Sequence, residues 1–424
     1  MNSPCLTRLA ALALAAIAPL APAHADSVLL QNGEIYTQGP AGTLHGGSIL
    51  IVDGRIRGLG EHLSAPPGTR VVDLKGRPVT PALFGGLGQL GVVEVSEEST
   101  TDDGTLHLGQ MRPEFDPSYA FNPDSIPVSV ARVDGVGFAV LVPGASAGAK
   151  DGRTSSILHG LAAVTSLDGR APRTPAALSV SLGQEAEALA GDSRAAAYML
   201  LSQALEEARG AQLAAGEQRL LTPAGRRVLA RFVAEHRPFL FEVDRAVDIR
   251  TAVAFARREK LNAIIVGGAE AWRVAPLLAA AHVPVVINPL DDLPESFDQI
   301  GATLQNAARL QSAGVVVAFT LRGSPHEVRK LRQAAGVAVA SGLPWAAGLA
   351  AITNTPAQLF GATTEFGTLA VGLPANLVVW SGDPLEVTSL VDAEWLDGQE
   401  RSLRTRQTEL RDRYVEKLRA GRAR

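Results

Sequence analysis

The sequence predicts an α/β fold, a (β/α)8 TIM-like barrel with a small β-sandwich built from both ends of the chain. Three observations lead to this prediction: the chain has 424 residues, strand-like and helix-like segments alternate through its middle, and short strands flank that middle. Such alternation implies parallel strands that are joined by right-handed helical crossovers. An alternating stretch of about 280 residues is typical of a closed barrel. A doubly wound open sheet is the alternative.

The two ends of the chain have the pattern of an antiparallel sheet. In residues 26–80, short apolar runs are separated by turn dipeptides, and Asp53 followed by Gly54 between two such runs predicts a hairpin. A second turn is predicted at Asn32. Short strands return in residues 366–400, including one at 369–371. The two segments together are therefore expected to form the sandwich.

Residues 81–365 carry the barrel pattern. Short apolar runs in this region predict buried strands at 138–142, 239–243, 262–266, 283–287 and 315–319. The Ala-rich stretch 175–208 is expected to be mostly helical. Residues 91–170 are rich in Gly, Pro, Asp and Ser, and they predict long loops over the mouth of the barrel. Long loops at that face usually carry function.

The first 25 residues have the features of a secretory signal peptide. Arg8 precedes an apolar run at 9–20, and Ala23 and Ala25 place small residues at the cleavage site. The run is shorter than the ~20 residues that span a bilayer, so a membrane anchor is the less favoured alternative. We therefore expect cleavage after Ala25, a periplasmic location, and no stable membrane span afterwards. Cys5 is the only cysteine of the chain, so the mature protein has no thiol.

The C-terminal tail and the net charge bear on partners. Residues 401–424 predict an amphipathic helix that packs on the body of the protein, with Leu403, Leu410, Tyr414 and Leu418 on one face. The formal net charge is −4, which disfavours nucleic acid because its phosphates attract basic proteins. A small molecule is the expected ligand or substrate.

Two C-terminal segments carry a specific resemblance. Residues 351–361 read AITNTPAQLFG, and residues 367–384 read GTLAVGLPANLVVWSGDP. Together they resemble the closing segment of the amidohydrolase superfamily, in particular its imidazolonepropionase-like members. Thr355 stands where that pattern has Asn, and Asn376 stands where it has Asp. The resemblance implies the barrel and sandwich already predicted, and hydrolysis of non-peptide carbon–nitrogen bonds.

The resemblance also implies a divalent metal such as zinc, which activates a bound water and polarises the scissile carbonyl. The family's ligands are an H-x-H pair after the first barrel strand, a His on the fifth, a His on the sixth and an Asp on the eighth. At the corresponding positions this sequence has Leu87, Gln89, Glu242, Gly267 and Leu321. Zinc needs three or four donors at one point, and leucine and glycine side chains supply none. No bound metal is therefore expected.

Other side chains at the predicted mouth become the candidates for chemistry. Glu242 and Asp244 alternate at one strand end, so they point to the same face. A close carboxylate pair can divide into an acid and a base, and with His326 these are the candidate catalytic residues. The candidate substrate-binding residues are Gln89, Glu270, Asn288 and Arg322. Alternatively, Arg245 or Arg322 neutralises the two carboxylates in a structural salt bridge.

Three functions remain open at this point. The first is an exported hydrolase with atypical or metal-free chemistry. The second is a pseudoenzyme, a non-catalytic binding protein on the same scaffold. The third is a structural subunit, which pairs with an active amidohydrolase paralogue or with copies of itself. Fold alone does not decide between them, because function resides in the site.

Overall fold

The computed structural model describes most of the chain. The described residues are 27–108, 111–144, 156–211, 218–321 and 323–422. The predicted signal peptide and its cleavage site lie outside them. Among the described residues, no helix is long and apolar enough to cross a membrane.

The described elements are strands gathered in two sheets and helices packed around them. The strands are β1 (Ser27–Tyr36), β2 (Thr43–Val52), β3 (Arg55–Gly60), β4 (Arg70–Asp73), β5 (Pro78–Pro81), β6 (Leu83–Gly88), β7 (Val136–Leu141), β8 (Leu158–Ser166), β9 (Arg173–Ser181), β10 (Pro238–Val243), β11 (Asn262–Gly267), β12 (Val285–Ile287), β13 (Val317–Phe319), β14 (Leu377–Trp380), β15 (Val391–Leu396) and β16 (Gln399–Glu400). The α-helices are α1 (Ile126–Arg132), α2 (Gln184–Leu189), α3 (Arg194–Ala208), α4 (Pro223–Ala234), α5 (Ala246–Glu259), α6 (Ala275–Ala280), α7 (Asn306–Ser312), α8 (Leu331–Ala340), α9 (Trp345–Ala350), α10 (Asn354–Leu359) and α11 (Arg406–Arg422).

The first sheet, here called the terminal sheet, combines strands from both ends of the chain. Its order is β16-β15-β14-β5-β1-β2-β3, with β4 paired to β1. Strand β5 joins the two ends, because it pairs parallel with β1 and antiparallel with β14. The sheet has its own apolar cluster, which includes Ile35, Leu377 and Trp395. Whether this arrangement is the sandwich expected above stays a prediction.

Of the two turns predicted near the N-terminal end, one is present in the structure and the other is not. Asp53 and Gly54 have φ values of 51° and 76° and connect β2 to β3 in an antiparallel hairpin, as predicted. Asn32 has a φ of 60° but makes no turn. It lies inside β1, where the register with β2 shifts between Leu30 and Gly33, so the same local signal produces a bulge.

The strand predicted at 369–371 is absent.

The second sheet, here called the barrel sheet, runs in chain order from β6 to β13. Strands β9 to β13 are parallel to one another, and so are β6 and β7. Strand β8 is antiparallel to both of its neighbours. The expectation of a wholly parallel (β/α)8 barrel is therefore wrong at this point, because β8 runs antiparallel between β7 and β9, and the described connection from β8 to β9 contains no helix.

Composition explains why β8 and β9 escaped prediction. Both lie in segments that were expected to be loop or helix, because their Ala, Gly and Ser residues lack strong strand preference. All nine residues of β8 are buried between other elements. Tertiary burial therefore overrides local propensity in this part of the sheet.

One threonine closes most of the gap between the first and last strands of the barrel sheet. The Thr320 hydroxyl, directly after β13, accepts from the Leu87 amide at 2.8 Å and donates to the Leu87 carbonyl at 3.1 Å. Gly86 has a φ of 88°, and a β-carbon there would lie 2.9 Å from Thr320 Oγ1. Glycine is thus required for this close approach. The result is a nearly closed barrel of eight strands.

Helices cover the outside of the barrel, and one buried residue links it to the terminal sheet. Helix α5 packs on β10 and β11, while α8 packs on β6 and α10 on β13.

Trp380, on β14, is fully buried and donates from Nε1 to Thr80 Oγ1 at 2.9 Å. The Arg332 guanidinium lies 5.0 Å from the centre of the Trp380 ring. This contact fixes the terminal sheet against the barrel.

The last helix differs from its prediction. Helix α11 does follow the expected tail, but Tyr414 is 60% exposed and Leu418 is 67% exposed. The expected packing of this helix face on the body is therefore wrong within the described residues. Its alternating charges, not an apolar contact, keep most of its surface in solvent.

Candidate functional site

A cavity of about 830 Å³ opens at the carboxyl-terminal ends of the barrel strands. Here it is called the mouth. It is lined by five residues that the sequence placed there: Leu87, Gln89, Glu242, Asp244 and Leu321. Since parallel strands end at one edge of their sheet, residues far apart in sequence meet at this point. Active sites of barrel enzymes lie at the same end.

Glu242 is the best-oriented carboxylate of the mouth. It lies at the end of β10, where it pairs in register with Ser181 of β9. The Ser179 hydroxyl donates to Glu242 Oε1 at 3.1 Å, and the Ser181 hydroxyl donates to Oε2 at 2.9 Å. Among the described residues, Glu242 takes part in no ion pair within 4 Å. Two hydroxyl groups thus fix a carboxylate that has no adjacent cation among the described residues.

A buried histidine lies behind this carboxylate. His159, on β8, is 6% exposed, and its Nδ1 lies 3.4 Å from Ser179 Oγ. Its Nε2 has no hydrogen-bond partner among the described residues. Burial lowers the pKa of His159, and the nearby Glu242 charge opposes that shift in part. His159 is therefore held in its neutral form.

Sequence reasoning missed Ser179, Ser181 and His159. The two serines lie two positions apart on β9, so both point toward the same side of the sheet. The only available signal for His159 was its place inside an apolar run, residues 157–164. All three residues are on strands that the sequence did not predict.

The second predicted carboxylate has different partners. Asp244 follows β10 and accepts from the Ala269 amide at 3.1 Å and from Gln299 Nε2 at 3.4 Å. Gln89 also lines the mouth, and its amide donates to Thr105 Oγ1 at 3.2 Å. Asp244 and Gln89 are therefore held at the mouth by neighbouring loops.

Two candidate substrate-binding residues lie away from the described lining of the mouth. Glu270 accepts from the Ala246 amide and the Gly301 amide, each at 3.0 Å, so it ties the start of α5 to a later loop. Asn288 bonds within its own turn, to the amide of Leu290 and to Asp291. The structure gives both residues a local role in holding loops.

The remaining candidates are placed as follows. His326 is exposed in a short 3-10 helix, Pro325–Lys330, and is not part of the described lining of the mouth. Gly267 ends β11 with a φ of 92°. Arg322 lies outside the described residues, so its predicted role stays a prediction.

A network of ion pairs, here called the ion network, borders the mouth. Arg194 pairs with Asp248 at 3.1 Å and with Asp298 at 2.8 Å. Arg245 pairs with Asp248 at 2.8 Å and lies 3.6 Å from Asp298. Among the described residues, Arg245 therefore pairs with Asp248 and Asp298 and not with Glu242 or Asp244. The alternative in which Arg322 neutralises Glu242 and Asp244 stays a prediction, because Arg322 lies outside the described residues. The Asp298 side chain is 3% exposed and lines the mouth, and its Oδ2 has no hydrogen-bond partner among the described residues.

The donors at the mouth do not fit the metal that the resemblance implies. Leu87 and Leu321 present hydrocarbon at two of the implied ligand positions, and the Gln89 amide is bonded to Thr105. Of the implied ligand positions, Leu87, Gln89, Glu242, Gly267 and Leu321, only Glu242 carries a strong ligand. Across the described residues, no three His, Cys, Asp or Glu side chains are grouped so that they could hold a metal ion.

Sequence comparisons match a short segment of the chain. No protein-family model matches the sequence. An amidohydrolase of Hapsidospora irregularis, tasK, is 40% identical over 57 residues, which is 13% of this chain and 6% of that protein. The match therefore spans a small part of that relative's length.

Solved structures match far more of the chain. An amidohydrolase from Thermotoga maritima has a TM-score of 0.78 at 23% identity, covering 89% of this chain and all of that one. Molinate hydrolase has a TM-score of 0.55 at 14% identity, covering 89% of this chain and 95% of its own. An adenosine deaminase from Xanthomonas campestris, solved with zinc, has a TM-score of 0.50 at 15% identity, covering 88% and 92%. The protein thus has the barrel fold found in the amidohydrolase superfamily.

Proposed function

We propose that the chain binds a small organic molecule in the mouth of its barrel and does so without the divalent metal of the amidohydrolases. The observation that carries this proposal is the identity of two lining residues. Leu87 and Leu321 occupy positions where the resemblance implies metal ligands, and both line a cavity of about 830 Å³. A cavity of this size holds a drug-sized ligand, and mixed apolar and polar walls are typical of such sites.

The chemistry of the donors supports a site that has lost its metal. Leucine has no lone pair to give, and a zinc site needs three or four ligands at one point. Glu242 alone supplies a carboxylate at an implied ligand position, and its two oxygens already accept from Ser179 and Ser181. A single carboxylate of this kind is better suited to hold a ligand than to hold an ion.

A second function, hydrolysis of a carbon–nitrogen bond without metal, is favoured by one contact. Ser181 Oγ donates to Glu242 Oε2 at 2.9 Å, and both residues line the mouth. This is the geometry of a nucleophile next to its base. In such a reaction Ser181 Oγ attacks the carbonyl carbon while Glu242 takes the hydroxyl proton. The proton then passes to the departing amine, and water releases the acyl group from Ser181.

The wider setting is proposed from the sequence. We propose that the chain works in the periplasm after removal of residues 1–25, and that it associates with copies of itself or with a metal-containing paralogue. We propose the division into a sandwich (26–80 with 366–400), a barrel (81–365) and a tail helix (401–424). Separate apolar clusters in the two sheets support that division.

A thermal-shift screen of small amides and amines, with hydrolysis of each compound followed in parallel, tests the proposal. A compound that binds the folded chain raises its melting temperature. We expect such compounds to raise the melting temperature of the wild type and of the control variant Val371→Trp. Val371 is 61% exposed and is not part of the mouth lining. They should raise the melting temperature of Leu87→Trp less, because the indole projects into the cavity that Leu87 lines.

The outcomes separate the two functions. Stabilisation without turnover supports the binding function. Turnover that survives chelation and disappears in Ser181→Ala and Glu242→Gln supports metal-free hydrolysis instead. Compounds that stabilise Leu87→Trp as well as the wild type would contradict a binding site in the mouth.

A further inference from the structure

We infer that the ligand of the mouth is an organic cation with N–H donors on an alkyl chain, such as an alkylguanidinium or an alkylamine. The inference rests on the proposed function and adds the chemical class of the ligand. Every charged side chain among the described lining residues is acidic, and the inference rests on two of them, Glu242 and Asp298.

Glu242 carries the first part of the argument. Its two oxygens accept one hydroxyl hydrogen bond each, whereas a carboxylate has about four acceptor positions. No arginine or lysine lies within ion-pair distance of it among the described residues. A partly buried carboxylate of this kind is stabilised by an incoming cation, because burial weakens its hydration. Glu185 and Asp244 have further partners and carry no part of this argument.

Asp298 supplies a second and independent observation. Its side chain is 3% exposed, and Arg194 pairs with Oδ1 only. Oδ2 has no partner among the described residues, and it lies 3.8 Å from the place of a β-carbon on Gly183, another lining residue. A buried acceptor without a donor has lost its hydrogen bonds to water without gaining others, which is unfavourable. An N–H group of a ligand in the mouth would remove that cost.

The spacing of the acceptors decides between a metal ion and an organic cation. In the described part of the chain, no three acidic or imidazole side chains are grouped around one point, as a metal would require. An organic cation instead spreads several N–H donors over its length. Leu87, Leu240, Val266 and Leu321 add apolar surface to the same cavity. That surface suits the methylene groups that carry an amine or a guanidinium.

Agmatine, which has a guanidinium and an amine on a four-carbon chain, is the probe for this inference. Glutarate is the anionic comparison, and pentanamide is the neutral one. We expect isothermal calorimetry on the full chain to detect agmatine binding and no glutarate binding. Agmatine affinity should fall as sodium chloride is raised, because salt screens the attraction between charges. This salt test needs only the wild-type protein.

Glu242→Gln tests the central carboxylate. We expect the Kd of agmatine to rise at least about tenfold, because a lost charge contact is commonly worth that much. Glu416→Gln, which removes the same charge from an exposed site on α11, should leave the Kd unchanged. Asp298→Asn should also weaken binding. An unchanged Kd in Glu242→Gln, or tighter binding of glutarate, would overturn the inference.

The comparison compounds keep this failure distinct from failure of the proposed function. If pentanamide or glutarate binds in the wild type but not in Leu87→Trp, the mouth is a binding site and the cationic class is wrong. If none of the three compounds binds the mouth and the wider screen finds no other ligand there, both proposals are wrong.

Discussion

The barrel holds buried carboxylates in opposite ways in two neighbouring regions. In the ion network, Arg194 and Arg245 place guanidinium nitrogens within 2.8–3.1 Å of Asp248 and Asp298. In the mouth, the donors that Glu242 receives from the described residues are the hydroxyl groups of two serines. Carboxylates that pair with arginines of the same chain hold helices and loops together. A carboxylate that has no cation near it among the described residues is available to a ligand, and this difference is the basis of our inference about the class of ligand.

The largest expected effect comes from breaking the ion network. Arg194→Ala leaves Asp298 with only the more distant Arg245 and removes one partner of Asp248. Removing one member of a buried pair costs about 3–5 kcal/mol, because the remaining charge is uncompensated. We expect a loss of this size in the free energy of unfolding, measured with urea.

Arg231→Ala is the matched control for that prediction. Arg231 is 63% exposed and pairs with Glu235 on the surface. Exposed pairs contribute about 0–1 kcal/mol, so the free energy of unfolding should hardly change. Equal losses in the two variants would show that the ion network is not a structural device.

The second effect concerns the buried imidazole of His159, which lies behind Glu242, and it depends on pH. Because burial lowers the pKa of His159, the unfolded chain binds a proton below about pH 6.5 that the folded chain does not accept until lower pH. The contribution of the neutral His159 imidazole to the free energy of unfolding is therefore fully present above pH 6.5 and decreases as the pH falls. The slope for one group is at most about 1.4 kcal/mol per pH unit.

His159→Gln tests this sign. Between about pH 6.5 and 5, the free energy of unfolding should decrease less in the variant than in the wild type, because the variant lacks the titrating imidazole. Urea unfolding at several pH values measures it. If the wild type and the variant lose stability in parallel, His159 is not the group that titrates.

The smallest effect on stability is expected at Glu242. Glu242→Gln keeps an oxygen for one serine and places a nitrogen beside the other, and it removes a charge that has no cation nearby among the described residues. We expect the free energy of unfolding to change by less than about 1 kcal/mol, as for an ordinary hydrogen-bond change. A loss as large as that of Arg194→Ala would make Glu242 part of the scaffold.

The sequence predicted the parallel half of the barrel well because two signals coincide there. Strands β10 to β13 are apolar runs followed by segments of helical periodicity, and each predicted run overlaps an observed strand. Strand β8 has an apolar run at residues 157–164, but no helical segment follows it before β9, and β9 lacks such a run. Their Ala-rich and Gly-containing sequences become strands only because the rest of the barrel buries them.

The same contrast explains what could be predicted of the site. Leu87, Glu242 and Leu321 follow apolar strands, so their meeting at one end of the barrel follows from the direction of those strands. Ser179 and His159 could not be placed without β8 and β9. Glu270 is polar and near a strand end, but backbone amides take up its oxygens. Sequence alone does not show whether a polar residue serves a ligand or its own loop.

The most direct test of the account is the metal content of the purified chain. The protein is expressed with zinc and manganese available, purified without chelator and measured by elemental analysis. Because hydrocarbon side chains line the mouth at Leu87 and Leu321, the account predicts far less than one metal ion per folded chain. One tightly bound metal per chain, lost in Glu242→Gln but not in Glu416→Gln, would contradict it.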